Sequence, residues 1–416
     1  MQDHHHIHHG HNHGADTDFR APRRVRTALG IAVILIGLAT VVGIWRLWPS
    51  AGEIPPTTPF VAEGATYTTG EVVGTDFDAQ YGDAGALIVR LKGSDEQVIV
   101  LANPEVPASE VSLGDQIRVI EIPSSITGSA PVYAFVDYER AWPMIILLLG
   151  FVAVVIAVAR WKGLAALAGL AGGLAMICVF TIPALIAGKP PVVVALFTAS
   201  AVMFIVIYLA HGISLKSTTA LLSTLVSIGI VTLIGWLAIP GARLTPRTVD
   251  EMGHLSYLLP GLDVKGILLC AMVLAGVGVL NDVTITQASV VWELRAAAPS
   301  MTRRSIIGAA MRIGRDHIAS TVYTIAFAYV GTALALLLVA SMVDHTFLDL
   351  ITLNDVAQEI VATLVTSIGL VMAIPLSTVV GAGLIGRAVG SEQSVSVSPS
   401  TLDHDAAAWD KEVTLS

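Results

Sequence analysis

The sequence predicts an α-helical polytopic membrane protein of eight transmembrane helices, with a small extracytoplasmic all-β domain, an OB-like barrel, between helices 1 and 2. Three observations carry this expectation. Of 416 residues, 54% are hydrophobic and only 13% charged, with mean hydropathy +0.74, whereas a soluble domain carries about a quarter charged residues. Apolar runs of spanning length recur with almost no ionisable group inside them. Residues 63–140 interrupt these runs with short alternating segments rich in Val and Ile. The formal net charge of −9 says little alone, because the sign is distributed by compartment. Cys178 and Cys270 both fall in apolar segments and read as buried thiols, with no disulfide framework or Cys-based zinc site.

Residues 1–26 form a cytoplasmic tail that is rich in histidine. His4, His5, His6, His8, His9, His11 and His13 are seven of the chain's twelve histidines. Neutral imidazoles suit zinc, copper and nickel, so this head is a candidate site for a divalent metal ion, zinc or nickel. A purification tag, or a tail whose metal binding is incidental, are the competing readings; Ile7, Gly10 and Asn12 interrupt the run, as tags rarely are.

Arg20, Arg23, Arg24 and Arg26 precede the first span, residues 27–48, whose apolar run from Ala28 to Leu47 is long enough to cross. The basic flank keeps that end cytoplasmic. Trp48–Pro49 lacks a small-residue cleavage pattern, so the span is expected to be retained. A Pro/Thr-rich linker over 49–62 leads into the β domain. Its expected strands are Tyr67–Val73, Ala86–Leu91, Gln97–Ala102, Gln116–Ile122 and Val132–Tyr138, punctuated by Gly82–Gly85, Gly93–Ser94 and Gly114–Asp115. OB barrels often bind nucleic acid. This one has no basic, aromatic face and is expected outside the membrane, so no nucleic-acid partner is expected and a rigid cap is favoured.

Residues 142–388 hold seven further spans, at about 142–159, 163–187, 190–210, 217–239, 264–283, 319–341 and 358–385. Arg160, Lys162, Lys216, Arg295, Arg303, Arg304, Arg312 and Arg315 then fall on one side, while the opposite loops carry Asp250, Glu251, Asp344, Asp349 and Asp355 against few bases. The positive-inside rule places both termini in the cytoplasm, in a bacterial cytoplasmic (inner) membrane. Residues 389–416 read as a disordered cytoplasmic tail.

The most informative stretch is Gly276–Thr321. An apolar helix runs into Asn281–Asp282 and continues through a polar run to Glu293, followed by a basic segment closing on Arg315–Asp316. On a helix, Asp282, Thr286, Ser289 and Glu293 share one face, which Gly278 continues. Such a stripe could line an aqueous crevice or offer oxygens to a cation. Equally, the helix could leave the membrane at Asp282, with Arg312 or Arg315 pairing the acids. Pro375, inside the last span beside Ser377 and Thr378, removes one helical hydrogen bond; it predicts a kink and a broken-helix site of the kind transporters use. Gly169 and Gly173 form a GxxxG packing motif. His211 reads as an interface residue. Asp250, Glu251 and His254 have cation-ligand types but are explained by a solvated loop. HExxH, GxSxG and Walker motifs are lacking, and no second deep acid suits a paired-Asp protease, so no enzyme is expected.

The chain resembles the YibE/F-like integral membrane proteins of bacteria. The residues that carry the likeness are Asn281-Asp282-Val283, Glu293, Gly314-Arg315-Asp316, Glu359-Ile360-Val361, Ser367-Ile368-Gly369-Leu370 and Ile374-Pro375-Leu376, with His211-Gly212 before Lys216. With the β domain, the resemblance runs over residues 28–388. Asn281, where an apolar residue is expected, and the His-rich head depart from it. The resemblance implies the eight-span layout with an extracytoplasmic domain and a presumed transport role. The leading expectation is therefore a secondary transporter or permease for a small solute or ion, lodged in the lipid bilayer and compatible with a homo-oligomer. Its path candidates are Asn281, Asp282, Thr286, Ser289, Glu293, Arg315, Asp316, Pro375 and Ser377. The alternative is a non-transporting scaffold or receptor whose β domain binds an envelope partner.

Overall fold

The computed structural model describes residues 23–56, 64–94, 96–128, 130–246, 250–342 and 346–385. The histidine-rich head and the C-terminal tail lie outside the described residues.

Helix α1 (Arg23–Leu47) leads to a closed five-stranded barrel. Its strands are β1 (Thr66–Asp76), β2 (Ala86–Leu91), β3 (Gln97–Leu101), β4 (Gln116–Ile122) and β5 (Val132–Tyr138), with the short helix α2 (Ser124–Thr127) before β5. Strand order round the barrel is β1-β2-β3-β5-β4; β3 and β5 run parallel and every other pair antiparallel. The period-two alternation puts Val72, Leu87, Val89, Val98, Val100, Ile117 and Val119 inside. Gly70 makes the corner where β1 passes from one partner to the other, facing both Leu91 and Ile117. A Cβ there would lie 2.7 Å from the Arg90 carbonyl oxygen, so the close strand approach needs glycine.

From Ala141 the chain is helical: α3 (Ala141–Met176), a π-helical turn at Ile177–Thr181, α4 (Ile182–Ile186), α5 (Pro191–His211), α6 (Leu215–Gly241), α7 (Asp250–Leu258), α8 (Val264–Ala297), α9 (Arg303–Thr332), α10 (Leu334–Ser341), α11 (Phe347–Thr352) and α12 (Asn354–Leu384). Side chains of Ser214, Asp263 and Thr302 cap α6, α8 and α9 by accepting from the backbone N–H three residues on. Among the described residues, six helices are long and apolar enough to cross a membrane: Arg23–Leu47, Ala141–Ile186, Pro191–His211, Leu215–Gly241, Val264–Ala297 and Asn354–Leu384.

The expected eight differ from these six at two places. Spans 142–159 and 163–187 fall within one 46-residue stretch, and the expected span 319–341 is divided between α9 and α10 at Ala333. The long stretch is not straight. Arg160 has φ 53° and ψ −133°, a backbone region rarely occupied by a residue with a Cβ. Beyond that bend Gly163 comes back against the Val155 carbonyl, where a Cβ would sit 2.6 Å from the oxygen. In a straight helix eight residues span about 12 Å.

The centre of the bundle is the α6–α8–α12 triad, whose buried side chains include Leu221, Ile228, Val231, Leu269, Met272, Leu280, Val365, Leu370 and Ile374. Contacts fix the helix directions. In α6 and α12, Val231 meets Gly369 and Gly235 meets Val365, an antiparallel register. In α6 and α8, Thr224 meets Thr284 and Gly235 meets Leu269, also antiparallel. In α8 and α12, Gly276 meets Thr366, Gln287 meets Thr378 and Val291 meets Gly381, a parallel register. Around the triad, α5 takes α3 against Gly169 and Gly173, which lie over Val206 and Val202; the GxxxG motif thus packs as expected. Antiparallel α1 leans on the other side of α5, with Thr40 Oγ1 2.7 Å from Ser200 Oγ and Gly43 admitting the Phe197 ring.

Two expectations need correction. Cys270 is buried but Cys178 is exposed, because an apolar segment facing lipid need not be buried in protein. The last helix is not broken: α12 runs continuously from Asn354 to Leu384 through Pro375.

Candidate functional site

Helix α8 carries polar residues on two faces. Asp282, Thr286, Ser289 and Glu293 lie on the outward one: the two acids are exposed, the two hydroxyl residues half-buried, and Gly278 above them meets nothing. Ser289 donates its hydroxyl back to the Ile285 carbonyl, 2.7 Å away. Arg315 and Asp316 on α9 are exposed too, and no ion pair joins Asp282 to Arg315 among the described residues. Asn281 and Pro375 are half-buried, and His211 is exposed. Of the sequence-predicted path residues only Ser377 is wholly enclosed, at 0% exposure.

The inward face of α8 presents Thr284 and Gln287, neither of them among the sequence-predicted path residues. Gln287 Nε2 donates to Thr378 Oγ1 on α12 at 2.6 Å and to the Ala310 carbonyl on α9 at 3.0 Å, tying three helices together. Gly314 of α9 leaves room for this amide: a Cβ there would come 3.1 Å from Gln287 Oε1. Thr284 Oγ1 lies 2.6 Å from Thr224 Oγ1 on α6. Continuing the α6–α12 register two turns beyond the Val231–Gly369 contact brings Ser223 level with Ser377. Both are buried, and neither hydroxyl oxygen has a hydrogen-bond partner. Ser223, Thr224, Thr284, Gln287, Ser377 and Thr378 therefore form one polar layer across the three central helices.

A signal for this layer did exist. Leu280, Thr284, Gln287 and Val291 follow the spacing of one helical seam, and an amide interrupting an apolar seam is costly unless satisfied. The layer contains hydroxyls and an amide but no charge. The one buried charged residue among the described residues, Arg295, sits at the C-terminal end of α8. Its Nη1 donates to the Pro299 and Met301 carbonyls at 3.0 and 2.8 Å, where the helix dipole also favours a cation. No group of three or more His, Cys, Asp or Glu side chains converges among the described residues. The histidines proposed as metal ligands, His4 to His13, lie outside them.

Long apolar helices around a polar layer, joined to a small β-barrel, define a helical membrane protein. The YibE/F-like protein family model matches residues 147–387, and the chain belongs to that family. The match covers the helical region; α1 and the barrel precede it. No curated protein and no solved structure is significantly similar to the chain.

Proposed function

We propose that this chain is an eight-span transporter or permease of the bacterial cytoplasmic membrane, not an enzyme. Both termini would be cytoplasmic, the OB-like barrel would lie outside, and the cargo would be a small solute or ion. The observation that carries this reading is the polar layer: an interior of hydroxyls and one amide, two of the hydroxyls without partners, at the contact of three spanning helices. Polar groups enclosed inside a membrane bundle are costly and mark pathways more often than lipid-facing ones.

Helix direction supports eight crossings over six. α1 and α5 are antiparallel, with Gly37 against Phe204 and Gly43 against Phe197. The stretch Ala141–Ile186 between them must then cross an even number of times, which suits two helices turning at Arg160. A straight 46-residue helix would be about 70 Å long against a ~30 Å core. α8 and α12 are parallel, so the chain between them crosses an odd number of times, which suits a span over 319–341. Six helices thus become eight crossings. On this layout Asp282, Glu293 and Arg315 lie towards the cytoplasmic end, on the outer side of α8 and α9, where they could line an entrance.

The test is uptake into proteoliposomes across a panel of small solutes and ions. Transport that falls with Asp282→Asn, at unchanged insertion, supports the reading. A second reading, a scaffold or receptor, draws on the exposed Ile99 and Leu101 on the outer face of β3. It predicts no flux in any condition and loss of function on mutating those two residues alone.

A further inference from the structure

Helix α9 turns a polar face away from the bundle. Arg312, Asp316, Ser320, Tyr323 and Phe327 recur at steps of four and three residues, so they share one side of the helix, and all five are exposed. The opposite side, through Ile306, Ala310, Gly314 and Ile325, is the one buried against the bundle. Arg315 flanks the exposed seam, and Asp282 of α8 is exposed too. Asp282, Arg312, Arg315 and Asp316 form no ion pair among the described residues.

This face is level with the spanning part of its neighbours. Thr284 touches Thr224 of α6, which lies eight residues inside Lys216. Eight residues of helix rise about 12 Å, and Asp282 is two residues deeper still, so it stands about 15 Å from the level of Lys216. Gly314 packs on Gln287, three residues from Thr284, which brings Arg315 and Asp316 to about 10 Å from that level. Because α8 and α12 are parallel, the chain between them has to cross, yet α9 is not among the six helices apolar enough to do so. An ionised group turned to lipid at such depth is costly. Charges of both signs that do not pair within one chain are open to pair between chains.

We propose that the outer face of α9, with Asp282 beside it, is the contact between two copies of this chain. Copies that share an orientation in one membrane are related by a two-fold axis along the membrane normal, so each residue meets residues of its own level. This face suits that rule. One level holds the acids Asp282 and Asp316 and the base Arg315, so each copy offers both halves of an ion pair. Further along the seam Tyr323 and Phe327, 63% and 74% exposed, supply aromatic area to pack across the axis. A second copy in place of lipid also leaves a cleft in which water reaches the remaining charges. Association does not rest on the transport reading; an entrance for cargo in that cleft would.

The test is oxidative cross-linking of the full-length protein in phosphatidylethanolamine–phosphatidylglycerol vesicles, with Cys178→Ser removing the exposed natural thiol. Ser320→Cys or Tyr323→Cys should give a covalent dimer as the main species, and Ile34→Cys, on the exposed side of α1, should give none. Single-molecule photobleaching in the same vesicles counts the copies. Arg315→Glu leaves like charges at one level and should lower the dimerisation constant at least about tenfold. Arg315→Glu with Asp316→Arg in one chain returns both signs to that level and should recover it. These variants should insert and fold normally, since the chain's own packing does not use the charges. Should Arg315→Glu not insert, the cross-links decide. Single copies at every protein-to-lipid ratio would overturn the proposal and leave lipid or water facing α9. A dimer that cross-links through Ile34→Cys but not through the α9 positions, or that Arg315→Glu does not weaken, would place the contact elsewhere and overturn it too. Proteoliposome flux separates this from the transport reading. A dimer without flux keeps the interface and removes transport, whereas flux from single copies keeps transport and removes the interface.

Discussion

The two faces of α8 both hold polar groups and treat them in opposite ways. Outward, Asp282 and Glu293 carry charge and touch little protein. Inward, Thr284 and Gln287 carry none, and their contacts of 2.6 Å join α8 to α6 and α12. The difference follows from desolvation. A carboxylate enclosed without a partner costs several kcal/mol, so ionised groups stay where water or headgroups reach them. Hydroxyls and amides can be enclosed if they find partners, and in doing so they fix which helix faces meet.

That contrast breaks most sharply at Gln287. Gln287→Leu removes two interhelical hydrogen bonds, each worth about 0.5–1.5 kcal/mol, although Thr378 Oγ1 keeps its bond to the Ile374 carbonyl and the Ala310 carbonyl stays within helix α9. We expect a large fall in unfolding temperature and in yield of folded protein, read by fluorescence-detected size exclusion. Stability equal to the natural protein would show that this face is not the structural one.

The next effect is a coupling. Thr224→Val and Thr284→Val together should be milder than their separate costs imply, with a coupling energy of about 0.6 kcal/mol and at most about 1.7 kcal/mol. A double-mutant cycle in detergent or bicelles measures it, and strict additivity would contradict the 2.6 Å contact.

Asp282→Asn sharpens the other side. The side chain is exposed and pairs with no base among the described residues, so stability should move by less than about 0.5 kcal/mol. For the same reason Arg315→Gln should not rescue or worsen it. A loss of several kcal/mol in the single variant, recovered in the double, would mean that the two charges are paired in the membrane.

The smallest effect lies outside the membrane, at the junction of the barrel with α3. Glu139 is held below its ordinary value by a hydrogen bond from Arg118, and then by the Ala141 N–H. Asp137 is held down by Arg140, 2.6 Å away, and by the Tyr138 N–H. A lowered carboxyl contributes stability above its unfolded value and loses it as pH falls through the folded one. The junction should therefore keep its stability at neutral pH and loosen only in acid, slightly, because both pairs are solvated. Limited proteolysis near residue 140 at decreasing pH reads this, and Glu139→Gln should flatten the profile.

Much of this architecture was legible beforehand. The strands expected at Ala86–Leu91, Gln116–Ile122 and Val132–Tyr138 form with those ends, because alternating Val and Ile have one buried and one wet face to obey. In the helices the same logic weakens. Cys178 looked buried and faces outward. The Asp282 stripe was visible as a stripe, but its direction was not. Pro375 suggested a break, yet α12 stays continuous, since removing one hydrogen bond does not stop a helix held by neighbours.

By itself, then, the sequence determined the membrane class, the approximate extents of the apolar helices expected at 27–48, 190–210, 217–239 and 358–385, the five-stranded barrel and the presence of ionisable groups on α8. Those follow from composition, length and local periodicity. Only the tertiary structure decided that Gln287 rather than Asp282 faces inward, that Ser223 stands level with Ser377, and that α8 runs parallel to α12. In a membrane the outer face of a helix is as apolar as its inner one, so hydrophobic pattern does not orient it; close contact between small and polar side chains does.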